Sequence, residues 1–165
     1  MTARRTIFIL LSLLIVVFIF LNSAQVSTDS TGRSRIVTEM LIKLFVRDYE
    51  SLSGSEQTAL IDRFEHAVRK LAHFCEYAAL GFVLTLCFFE FPKLGGTAHN
   101  AIMCAVAVCC VYAISDEIHQ MFVAGRTAKV TDMLIDTAGA ALASLIATWL
   151  HLTLKRIREK RDRTA

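Results

Sequence analysis

The apolar residues of this 165-residue chain are gathered into blocks, with the charges packed between them. No other feature constrains the fold as much. A soluble helix keeps a polar face, whereas a helix apolar all round must be buried or sit in lipid. A bilayer crossing takes about 20 mostly apolar residues. With 55% hydrophobic residues and a mean hydropathy of +0.50, a chain this short cannot wrap several such helices in a core of its own. Lipid is the implied solvent. The reading is an all-α membrane protein, a four-transmembrane-helix bundle forming one domain over residues 1–165.

The blocks place spans at about 6–22, 70–90, 97–118 and 131–154. The first, Ile7 to Leu21, follows Arg4 and Arg5 and reads as a first span or as a signal peptide ending near Asn22-Ser23-Ala24. The small-residue pattern of a cleavage site is poorly met, which favours the span. Residues 23–69 then form a long loop in which Ile36, Val37, Met40, Leu41, Leu44 and Phe45 recur at helical spacing, with Arg35, Glu39, Lys43 and Arg47 on other faces. This predicts an amphipathic helix over about 35–47, too charged to span, lying at the membrane surface or capping the bundle. Ser51 to Ser55 read as a turn, and Ser53 with Glu56 has capping-box spacing. The helix they open starts polar, with Asp62, Arg63, Glu65, His66 and Arg69, and meets no breaker before the second span. Pro92, Gly95 and Gly96 turn the chain into the third.

Charge gives the orientation. The net charge is only +3, yet six of the eighteen basic residues fall in a tail over 155–165: Lys155, Arg156, Arg158, Lys160, Arg161 and Arg163. A basic excess at span ends marks the cytoplasmic side, so both termini are expected in the cytoplasm and the 23–69 loop outside. Because the tail directly follows an apolar helix, it reads as a stop-transfer signal and not as a nucleic-acid surface. The 23–69 loop balances its basic residues with seven acids over a length where the rule is weak. Arg126 and Lys129, in a short outer loop, run against the rule and need another reason to be there.

Small residues recur four apart at Ala101, Ala105, Cys109 and Ala113, and again at Gly139, Ala143 and Ala147. Such rows let membrane helices approach closely. Trp149 is placed as an interfacial anchor. The five cysteines (Cys75, Cys87, Cys104, Cys109, Cys110) lie in apolar blocks without zinc-site spacing and read as small buried hydrophobes.

On this topology the ionisable residues converge. Lys70, His73, Glu76 and Tyr77 occupy the outer turns of the second span; Ser115, Asp116, Glu117, His119 and Gln120 end the third; Asp132 and Asp136 open the fourth. Lys70, His73 and Tyr77 share a helix face, and Asp132 with Asp136 continues into the Gly139 row, so these groups point at neighbouring helices. Arg126 and Lys129 are the expected counter-ions, because a charge at the bilayer centre costs about 3 kcal/mol on insertion scales. Three uses remain open for the cluster. It could bind an envelope ligand. It could carry hydrolytic or transfer chemistry, with His73 or Glu76 as general base against Asp116 or His119. It could serve only as structural glue in a membrane scaffold. His73, Glu76, Asp116, His119 and Asp132 are suitable metal-ligand types, but no specific metal motif accompanies them, and no metal or other cofactor is expected. A Ser115–His119–Asp116 triad would crowd one helical turn with no oxyanion hole. His66, His99 and His151 read as interfacial residues.

Arg69-Lys70-Leu71-Ala72-His73-Phe74-Cys75-Glu76-Tyr77 with Leu80-Gly81 resembles the first signature of the VanZ-like family. Ser115-Asp116-Glu117-Ile118-His119-Gln120-Met121-Phe122-Val123, then Gly125-Arg126 and Asp132, resembles the second, and Asn22-Ser23-Ala24-Gln25 resembles a Ser-rich, Gln-containing patch after the family's first span. The resemblance covers about Ile7 to Leu150, with Asp136 standing where the family pattern usually has Asn. It implies a retained first span and a bacterial cytoplasmic-membrane protein whose outward-facing site engages a cell-envelope lipid or cell-wall molecule. It also implies a link to susceptibility to teicoplanin, the glycopeptide for which the family is known. Some relatives carry a phosphotransbutyrylase label, but this chain has no glycine-rich phosphate loop. Membrane lipids and that envelope molecule are the expected partners; the oligomeric state is left open.

Overall fold

The computed structural model describes residues 3–24 and 27–164. Among them there is no strand, and the chain runs through six α-helices: α1 (Ala3–Ser23), α2 (Ser27–Phe45), α3 (Gly54–Phe89), α4 (Pro92–Gly95), α5 (Ala98–Gln120) and α6 (Val130–Thr164). Four of them, α1, α3, α5 and α6, are long and apolar enough to cross a membrane. Gln25 lies outside the described residues.

Two of these helices outrun the spans read from hydropathy. α3 has 36 residues, about 54 Å at the α-helical rise, against a hydrocarbon layer of about 30 Å. Its polar half, up to Arg69, therefore stands beyond the apolar half as one continuous rod. Ser53 starts it as expected: its side chain accepts from the Glu56 N–H, and the Glu56 carboxylate takes the Ser53 N–H at 2.9 Å. α6 likewise continues through the basic segment to Thr164, so that segment is helical. At the same end Arg4 pairs with Glu90 at 3.2 Å, and the Arg5 guanidinium lies 3.5 Å from the centre of the Phe91 ring. This clamps the start of α1 to the α3–α4 turn.

α2 folds back along the polar half of α3. Arg35 pairs with Asp62 at 2.9 Å, Ser34 donates to Glu65 at 2.8 Å, and Ile42 and Tyr49 pack on Ile61. The apolar face read in the sequence is not the one that packs. Ile36, Met40, Leu44 and Phe45 are exposed, and Thr38 and Ile42 point inward instead. The Ile42–Tyr49–Ile61 cluster sets the docking on α3, with the exposed Arg35–Asp62 pair beside it, which leaves the wider apolar stripe turned away from the bundle.

The bundle core is Ile19, Tyr77, Leu80, Cys109, Ala113 and Ala140. Both small-residue rows are buried where four-residue spacing puts them. The tightest seam joins α3 to α6. A Cβ on Gly81 would lie 2.5 Å from the Ala140 carbonyl oxygen, and one on Gly139 would lie 2.5 Å from that of Phe74. Only glycine allows the two backbones this close, and the approach fixes the register of His73, next to Phe74, and of Asp136, one turn from Gly139. Trp149 is exposed on the outer surface, as an anchor would be. Of the cysteines, Cys87 and Cys109 are buried, but Cys75 is exposed on the bundle's outside, contrary to the expectation of burial.

Candidate functional site

The site forms at the end of the bundle carrying the α5–α6 loop, where α3 passes from its apolar to its polar half. Because α3 does not break there, His66, Lys70, His73 and Tyr77 fall along one face of a single helix. The Lys70 ammonium donates to Asp132 Oδ1 on α6 at 2.6 Å. Deeper, His73 Nδ1 lies 4.0 Å from Glu76 Oε2, and Tyr77 is fully buried with its ring 5.9 Å from that of Tyr112.

The last turns of α5 bury Asp116, Glu117 and Gln120. Gln120 Nε2 donates to Asp116 Oδ2 at 3.1 Å and to Ser23 Oγ of α1 at 2.9 Å. Asn22 Nδ2, also on α1, donates to Glu76 Oε1 at 2.9 Å, and Tyr112 Oη donates to the Val16 carbonyl at 2.8 Å. These bonds clasp α1 to the site. The loop then turns at Gly125, whose φ of 77° lies in the left-handed region that glycine adopts without cost. This turn brings Arg126 back over the helix ends, its N–H bonded to the Val123 carbonyl at 3.1 Å. Lys129 follows, and its main-chain N–H donates to Glu117 Oε2 at 2.7 Å. Asp136, on α6, is only 2% exposed.

Between α3, the loop and α6 these groups enclose a cavity of about 130 Å³, lined chiefly by His66, Arg69, Lys70, Arg126, Asp132 and Asp136. That is the share of liquid volume of about four water molecules. The Arg126 guanidinium makes no ion pair among the described residues. Burial, with the Arg69 charge nearby, holds its pKa below the ordinary arginine value, as a half-buried cation without a direct counter-ion requires. Around and behind the cavity, Tyr77 Oη, Asp116 Oδ1, Asp136 Oδ1, His73 Nδ1, Glu76 Oε2 and His119 Nε2 are buried without a hydrogen-bond partner. Native interiors leave few such atoms; these six gather at this end of the bundle, while Arg5 Nε, Thr38 Oγ1 and Thr148 Oγ1 lie elsewhere. Among the described residues no three His, Cys, Asp or Glu side chains are grouped closely enough to hold a metal ion.

The family model described as VanZ/LLP1 matches residues 8–151. The chain belongs to that family. With four apolar helices it is a multi-pass membrane protein. No curated protein and no solved structure matches it.

In this VanZ/LLP1 family member the structure brings together Lys70, Glu117, Gln120, Arg126, Asp132 and Asp136 with His73 at the cavity, and sets Glu76, Tyr77, Asp116 and His119 in the buried layer beside it. His119 packs against Phe20 with ring centres 4.9 Å apart. Ser115 is exposed on the outer surface of α5 and does not join them. Its neighbour Asp116 takes the inward face through the Gln120 bond, and Ser115 is one residue, about 100° of helix, away from it. The direct counter-ion of Asp132 is Lys70, whereas Lys129 contributes its main-chain N–H; Arg126 supplies charge at the cavity without a contact pair. Sequence reasoning left out four participants: His66 and Arg69, which the unbroken α3 carries into the lining, and Asn22 and Ser23 of α1. The spacing of His66, Lys70 and His73 was the available signal for the first of these.

Proposed function

We propose that this protein binds a cell-envelope molecule, a lipid or cell-wall component, in the cavity beneath the α5–α6 loop, and that this end of the bundle faces outward from a bacterial cytoplasmic membrane. The observation that carries the reading is the joining of an open charged cavity to a layer of buried polar atoms that lack partners. Groups serving only as structural glue would satisfy one another, since an unpaired buried polar group weakens a fold. A ligand offering hydroxyl, amide or anionic groups would complete them. The orientation is supported by Arg4, Arg5 and the six basic residues of 155–165, all at the end opposite the cavity. The family's tie to teicoplanin makes glycopeptide susceptibility the natural cellular readout.

A second reading, an intramembrane hydrolase or transferase, is favoured by one observation. His73 Nδ1 and Glu76 Oε2 face each other at 4.0 Å with neither otherwise bonded on those atoms. Catalytic hydrogen bonds are commonly long in the unliganded state and tighten when substrate binds.

The test uses single substitutions at the cavity, His73→Gln, Arg126→Gln and Asp132→Asn, scored for protein level, thermal stability and glycopeptide susceptibility. The reading expects levels to persist while susceptibility changes. A loss of protein for all three would instead make the cluster structural. Cysteine labelling from outside, in a background without the native cysteines, should reach position 125 and miss positions 93 and 160; the reverse pattern would defeat the outward site.

A further inference from the structure

Resting on that reading, we infer the chemical class of the ligand: the cavity seats a phosphate group, gripped by Arg126 with the charges of Arg69 and Lys70 beside it. Three features lead there. First, two guanidinium groups and an ammonium converge on one small cavity from different elements, α3 and the α5–α6 loop. Like charges brought together repel one another, and Arg69 and Arg126 are close enough to do so. Glu65 pairs with Arg69 and Asp132 with Lys70, so Arg126 is the cation left without a contact carboxylate among the described residues, and an anion in the cavity would supply one. Second, the carboxylates that line the cavity are engaged or set back. Asp132 is held by Lys70, Glu117 takes the Lys129 N–H, and Asp136 is buried at the rear. Arg126 alone presents a fork of donors with no contact pair among the described residues. That planar fork matches two oxygens of a phosphate, and Lys70, though bonded to Asp132, adds positive charge beside it.

Third, the cavity lies at the depth of a lipid phosphate. Arg69 and Lys70 close the polar half of α3 and Leu71 opens its apolar half; on α6, Asp132 is followed by exposed Leu134. Charged lining thus gives way within one turn to apolar side chains on the outer surface, as a phospholipid gives way from phosphate to acyl chain. The volume of about 130 Å³ has room for one such group.

The experiment uses the full chain purified in a non-ionic detergent. Its thermal midpoint is titrated with dihexanoyl phosphatidic acid, inorganic phosphate and hexanoate. Arg126→Gln and Arg126→Lys are compared with Lys155→Gln, which removes a cation at the opposite end. Phosphatidic acid is expected to raise the midpoint of the parent and of Lys155→Gln alike. Arg126→Gln should weaken this by about tenfold or more, the scale of one charge-assisted hydrogen bond, and Arg126→Lys should recover part of it. Should Arg126→Gln fold poorly, the ³¹P shift of the probe on Arg126→Lys and parent protein gives the same comparison. Stronger binding of phosphatidic acid than of inorganic phosphate identifies a lipid headgroup; equal binding identifies free phosphate, and both support the class. Hexanoate binding as tightly with the same Arg126 dependence overturns phosphate while leaving an envelope-ligand site standing. Phosphate-probe binding indifferent to Arg126 overturns the inference, and the cavity substitutions scored for susceptibility judge the wider reading separately.

Discussion

Replacing Gly139 by alanine should damage this protein although alanine is the better helix former. The added Cβ would meet the Phe74 carbonyl oxygen at 2.5 Å, almost an ångström inside the 3.4 Å at which ordinary contact begins. The obstacle is backbone, which cannot swing aside, so α3 and α6 must part. Overpacking of this kind costs about 1–3 kcal/mol, offset by about 0.5–1 kcal/mol from removing a helical glycine, for a net loss of about 1–2 kcal/mol. For a chain of this size that lowers the melting midpoint by about 2–8 °C. Gly32, also helical, meets nothing within 4 Å, so Gly32→Ala should show the propensity gain alone and raise the midpoint slightly. Gly81→Ala should resemble Gly139→Ala, and the double variant should lose less than the two singles together, because one helix shift relieves both clashes. Thermal unfolding followed by circular dichroism in detergent reads all four. If Gly139→Ala stabilises as Gly32→Ala does, the close α3–α6 seam is wrong.

Other perturbations test the site's wiring. Asp132→Asn or Lys70→Met alone should cost more than the pair changed together, with a coupling of about 1 kcal/mol or more in a double-mutant cycle, since each single change strands a partly buried partner. Asn22→Ala, which strips the donor from Glu76, should lower stability by about 1–3 kcal/mol, and Tyr112→Phe by about 1 kcal/mol; unchanged melting of both would mean that α1 is not clasped. Gly125→Ala forces a side chain onto the left-handed turn, costing about 1–2 kcal/mol locally, and should weaken phosphatidic acid binding more than it lowers the melting midpoint.

Much of this was legible in the chain because lipid reduces the choice of structure to helices whose apolar length can be read directly. The four spans, the Ser53–Glu56 cap and the burial of the Ala101–Ala113 and Gly139–Ala147 rows follow from spacing alone. What spacing could not give was which of several suitable partners is in reach. Lys70 and not Lys129 pairs with Asp132, because α3 holds Lys70 rigidly opposite α6 while the loop aims the Lys129 N–H, not its ammonium, at Glu117. Asn22 and Ser23, read as the end of the first span, show no partner in the sequence; the fold lays them against Glu76 and Gln120. Ser115 belongs to the signature yet is exposed, because α5 turns the side carrying Asp116, Glu117 and Gln120 toward the bundle. On α2 the apolar stripe read from spacing, Ile36 to Phe45, is exposed, and spacing does not tell that Ile42 is the residue that packs toward α3.

The most direct test is native mass spectrometry of the protein released from its own membrane in mild detergent, parent beside Arg126→Lys and Arg126→Gln. The account predicts a bound envelope molecule of defined mass on the parent, reduced in the lysine variant and lost in the glutamine variant. The same adduct on all three, or none on a folded parent protein, would contradict it.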